Sequence, residues 1–199
     1  MNSRVVAAAI AAALAAAGCG GGAGGPEDSV SAADAAVRER VDAAEERLRT
    51  APNDRAALVQ LVRAHYSLAA ADTASDTGAF GEEGKRELEA ASRAWKRYLA
   101  TAPERPSAAV ADLMTTAYGP LGLDQPANAV ESAEIGALAR NDVASYLLLV
   151  QYATRAGQRR KADLAAEKAL ELAPPEGRDE IRALIEQAKA AGAERLGPL

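Results

Sequence analysis

The stretch VASYLLLVQYATRAGQRRKADLAAEKALELAP, residues 143–174, decides the fold. Its first half places Tyr146, Leu149, Val150 and Ala153 on one face of a helix, at the i, i+3, i+4, i+7 spacing. Gly157 breaks the run. The second half restarts at Gln158 and sets Ala162, Ala166 and Ala169 among charged residues. It stops at Pro174, which cannot continue a helix. Two helices joined by a glycine turn, the second with a face of small residues, form a hairpin that packs closely at little side-chain entropy cost.

The same punctuation recurs upstream. Helical periodicity runs through Val37, Val41, Ala44 and Leu48, with Ser31 and Asp34 reading as a capping pair, and ends at Thr50-Ala51-Pro52-Asn53. Further helices are predicted over residues 55–71, 82–101, 107–118, 127–139, 142–156, 158–172 and 178–191. Pro52 and Pro103 are about 51 residues apart, so the unit between them carries an insertion, placed at residues 71–84 and read as a loop or a loop with a short turn. No segment reads as a strand. The body, residues 30–193, is therefore expected to be all-α, with residues 194–199 as a C-terminal tail.

Internal repetition at this period points to stacked hairpins. Residues 143–174 resemble a tetratricopeptide (TPR) repeat of about 34 residues: Tyr146 and Leu149 in the first helix, Gly157 at the turn, Ala162, Ala166 and Ala169 in the second, Pro174 at the close. Residues 55–103 and 107–141 are weaker copies, 37–52 resembles the second helix of a truncated repeat, and 178–193 resembles a solvating cap. The resemblance implies an α-solenoid of helix–turn–helix repeats, curved into a right-handed superhelix whose concave face is lined by the first helices. It also implies that this groove receives a protein or peptide. Aligned by the apolar seam, the groove-facing candidates are Val59, Arg63 and Tyr66, then Ala111, Thr115 and Tyr118, then Leu147, Gln151 and Thr154. The Lys/Asn set with which some family members clamp a C-terminal carboxylate is missing.

Composition excludes other classes. Of 199 residues 52 are Ala, aromatic residues make up 4%, and the formal net charge is -5. Scarce β-branched and aromatic residues argue against a β sandwich or barrel. An acidic chain without a basic stripe argues against nucleic-acid binding.

The N-terminus reads as an export signal. Arg4 precedes an apolar run from Val5 to Gly18, too short to span a bilayer as a helix but within signal-segment range. Ala16-Ala17-Gly18-Cys19 resembles the lipobox of bacterial lipoproteins. That implies cleavage after residue 18 and a diacylglyceryl group on Cys19, two acyl chains being enough for stable anchoring. An ordinary signal peptide and an uncleaved anchor are the other readings of this segment. Residues 19–29 are read as a Gly-rich tether holding the body off the membrane. Expected localisation is the cell envelope, lipid-anchored and extracytoplasmic.

Catalytic constellations are not apparent. His65 is the sole histidine and lies in the seam Leu58–Leu61–Val62–His65, where packing is its expected role. Asp72, Asp76, Glu82 and Glu83 match no calcium-loop spacing and read as a solvated cluster, so no metal is expected. Arg159-Arg160-Lys161 opens a helix at its unfavourable end and reads as a solvated turn. Phe80, inside the insertion, either advertises a partner or anchors the loop. The expectation is a non-enzymatic, cofactor-free protein- or peptide-binding scaffold, lipid-tethered to the membrane. The alternative is a structural accessory subunit of an envelope assembly or secretion complex, with an empty groove.

Overall fold

The computed structural model describes residues 26–74 and 76–193 of the chain. The lipobox, Cys19 and the tail at 194–199 lie outside the described residues. The described chain is all-helical: α1 (Pro26–Thr50), α2 (Arg55–Ala71), α3 (Glu82–Ala100), α4 (Ala108–Ala117), α5 (Pro126–Arg140), α6 (Val143–Arg155), α7 (Arg159–Leu172) and α8 (Arg178–Ala193). Three antiparallel hairpins, α2/α3, α4/α5 and α6/α7, follow one another in solenoid-like order. α1 packs on α2, and α8 folds back onto α6 after a 3-10 turn at Pro175–Gly177.

Local chemistry sets the helix ends. Asp54 accepts the backbone N–H groups of Ala56 and Ala57 at 2.9 and 3.1 Å, so α2 starts one residue later. Ser107 and Asp142 cap α4 and α6 by accepting from Val110 and Ser145. At the end of α6, Gly157 has φ +70°, and its N–H reaches the Thr154 carbonyl while the Gln158 N–H reaches Ala153. This 5→2, 6→1 pair is the Schellman arrangement, and a Cβ at Gly157 would meet nothing within 4 Å. Glycine is there for its backbone alone. α5 closes instead on Asn141 at φ 52°.

Two boundaries depart from the sequence reading. α1 begins at Pro26, so it takes up the last residues of the segment read as a tether, and Ser31 and Asp34 lie within the helix rather than capping it. The 51-residue spacing between Pro52 and Pro103 is only partly loop. α2 and α3 run 17 and 19 residues, against 13 and 14 for α6 and α7, and residues 72–81 make up the rest.

The core runs along the stack as two clusters of buried side chains. Leu58, Leu88, Trp95, Val110, Met114 and Tyr118 fill the first part, with Trp95 stacked on Tyr98 at 5.3 Å between ring centroids. Val130, Tyr146, Leu149, Val150 and Ile185 fill the second, with Ala162, Ala166 and Ala169 forming the wall of α7. Tyr152 packs against both. The buried alanines place helix backbones close together, so burial comes from many small contacts rather than a few large side chains.

Candidate functional site

The nine residues aligned to a groove do not come together. Ala111, Thr115 and Tyr118 are buried, at 0%, 2% and 2% exposure, and cannot line an open surface. The Tyr118 hydroxyl pairs with Ser92 of α3 at 2.8 Å, and Thr115 Oγ1 donates to the Ala111 carbonyl. α4 is a short central helix enclosed on most of its circumference, and its exposed threonine is Thr116. Val59 and Arg63 flank a cleft of about 440 Å³ between α1 and α2, beside Arg40. Leu147 packs into the second core. Gln151 and Thr154 lie where α8 crosses α6: a Cβ on Gly192 would fall 2.5 Å from the Gln151 carbonyl oxygen and 2.8 Å from the Thr154 Cβ. The last trio is thus partly covered by the cap helix.

What the first helices do share is a tyrosine contact at their C-terminal ends. Burial pushes the hydroxyls of Tyr66 and Tyr152 above the ordinary tyrosine range, with the Thr116 side chain drawing Tyr66 partly back and Arg155 doing the same for Tyr152. Arg155 is held by Asp124 of the α4–α5 turn at 2.7 Å. These are packing contacts between successive hairpins.

The insertion is a latch on the same edge. Thr73 and Phe80 form an isolated antiparallel bridge. The Phe80 N–H donates to the Leu121 carbonyl at 3.0 Å, and its ring, buried, meets Tyr66 edge-on at 6.1 Å. Phe80 is the loop's anchor. Asp72 accepts the Gly84 N–H at 2.7 Å, so it caps α3 from across the loop, where Gly81 offers no side chain. His65 sits beside Glu87 at 2.6 Å, tying α2 to α3. Among the described residues no three His, Cys, Asp or Glu side chains converge to hold a metal, and no helix is long and apolar enough to cross a membrane.

The surface with the form of a binding site lies on the second helices. Between α5 and α7, floored by Tyr146 and Leu149 of α6, runs a cleft of about 600 Å³, within the range of about 300–1,000 Å³ usual for ligand pockets. Leu138 and Leu164 stand on its two walls at 68% and 56% exposure, the most exposed large apolar side chains in the described chain. One end is formed by Arg159, Arg160 and Lys161 in the first turn of α7. Lys161 reaches across to Glu134 of α5 at 2.5 Å. The Arg159–Lys161 run, expected as a solvated turn, forms one end of this cleft, and neither leucine belongs to the apolar seam that the sequence shows. The available signal was Leu164 itself, a large apolar residue off the Ala162/Ala166/Ala169 face.

No protein-family model matches the chain, and neither a curated protein nor a solved structure matches it.

Proposed function

We propose that this chain is a non-catalytic helical-repeat scaffold of the TPR type that binds a protein or peptide partner, tethered to a bacterial membrane by a diacylglyceryl group on Cys19. The single observation that carries the binding reading is the pair of exposed leucines, one on α5 and one on α7, that line the same cleft. One exposed leucine is unremarkable; two lining one concave surface make a patch of the kind that marks an interaction site. The expected concave groove gives way to this outer cleft, because the α4 residues assigned to the groove are core. The apolar run ending at Cys19 supports the tether.

Two measurements test the reading. Metabolic labelling with a fatty acid is expected to mark the wild-type chain and not Cys19→Ser; equal label in both removes the anchor. Partner recovery after crosslinking in cells is expected to fall in Leu138→Lys and Leu164→Lys, exposed positions where a charge leaves the fold intact. Unchanged recovery would instead favour the accessory-subunit reading, in which the stack packs laterally and the cleft is empty.

A further inference from the structure

We infer that the α5–α7 cleft takes an acidic amphipathic peptide segment, its apolar side chains against Leu138, Leu149 and Leu164 and its carboxylates against Arg159 and Arg160. This inference rests on the scaffold reading and names the partner's chemistry. Charge complementarity is the first argument. The chain is acidic overall, at -5, yet the mouth of this leucine-walled cleft carries three consecutive cations. Lys161 is neutralised by Glu134, whereas Arg159 and Arg160 form no ion pair among the described residues.

The second argument is placement. Cations in the first turn of a helix oppose the positive end of its dipole, and α7 has no acidic residue there to offset them. Gln158 supplies no side-chain cap, so backbone donors of the first turn stay open as well. Two guanidiniums and these N–H groups together favour a carboxylate at this end of the cleft, where Arg can engage it bidentately. The floor and walls beyond are apolar, so the occupant needs an apolar face continuous with its acidic end. A helix with leucine-type anchors at i, i+3 and i+4 has that form. An anionic membrane fits less well: the apolar residues line a concavity, and the body's net charge opposes such a surface.

The test uses the full chain in nanodiscs of neutral lipid and a fluorescein-labelled synthetic peptide with Leu at i, i+3 and i+4 and Glu between. Fluorescence anisotropy is expected to show binding that weakens about tenfold or more in Arg159→Glu/Arg160→Glu and in Leu164→Lys. The same peptide with Lys in place of Glu is expected not to bind. Circular dichroism should be unchanged in each variant, since all three side chains are exposed. Equal binding of the Glu and Lys peptides, or equal affinity of the variants, overturns the inference. So does retention of the wild-type chain, but not the double-Arg variant, on phosphatidylglycerol vesicles when neither peptide binds. If the Glu peptide fails while Leu138→Lys still lowers partner recovery in cells, the acidic-peptide assignment falls and the scaffold reading stands. Failure of both removes both.

Discussion

Tyr118 distinguishes a core residue from a groove residue most sharply. At 2% exposure, with its hydroxyl on Ser92 at 2.8 Å, it joins α3 to the end of α4, where the two helices otherwise touch little. Tyr118→Ala would leave a ring-sized cavity, costing about 3–5 kcal/mol by analogy with other large-to-Ala core changes. A groove residue with the same side chain would cost under about 0.5 kcal/mol. The hydroxyl pair can be isolated. Tyr118→Phe leaves Ser92 Oγ buried without its partner, and Ser92→Ala does the same to the Tyr118 hydroxyl, each at about 1–3 kcal/mol. The double variant removes both orphans at once, so its loss should fall short of the sum by about 1 kcal/mol. Urea unfolding followed by the fluorescence of Trp95, the sole Trp, reads all four species. Additive losses, or a Tyr118→Ala variant as stable as wild type, would refute the buried pair.

Other perturbations have equally definite outcomes. Ser132 of α5 is buried and its hydroxyl finds no partner among the described residues, so Ser132→Ala should raise stability by about 1 kcal/mol in the same urea assay. Gly192→Ala gains about 1 kcal/mol of helix propensity. Its Cβ meets the Gln151 carbonyl, whose backbone cannot yield, at an overpacking cost of about 1–3 kcal/mol, so the net effect is destabilising and hydrogen exchange in α8 should accelerate first. Backbone N–H groups, first those of Ala57 and Ser145, hold the carboxyls of Asp54 and Asp142 below the usual value of 3.8. A depressed folded pKa means their contribution is present above that value and is lost as pH falls through the lower folded one. Stability should therefore drop in acid, less steeply in Asp54→Asn, and an unchanged acid limb would count against the caps.

Helix positions were legible because their signals are local. Asp54, Ser107, Asp142, Gly157 and Pro174 act on their own neighbours, and the helices they bound fall within a residue or two of the sequence reading. The start of α1 escaped for the opposite reason, since the glycine run before Pro26 reads as tether up to the first periodic residue. The face of α4 was not legible. Alignment by the seam sets Ala111, Thr115 and Tyr118 on an open face, while contacts from α2, α3 and α5 bury all three. How many sides of a short helix are covered is a tertiary property that periodicity does not carry. The α5–α7 cleft was missed similarly: Leu138 and Leu164 are distant in sequence, and only the stacking of successive hairpins sets them in one cleft.

Site-specific photo-crosslinking in cells tests the central claim most directly. A photoreactive residue at position 164 of the full chain is compared with one at Leu184, an exposed leucine on α8 away from the cleft. The account predicts one discrete crosslinked product from position 164, absent from 184 and lost when Arg159 and Arg160 are both changed to Glu. The same product from both positions, or one from 164 indifferent to the arginines, would contradict it.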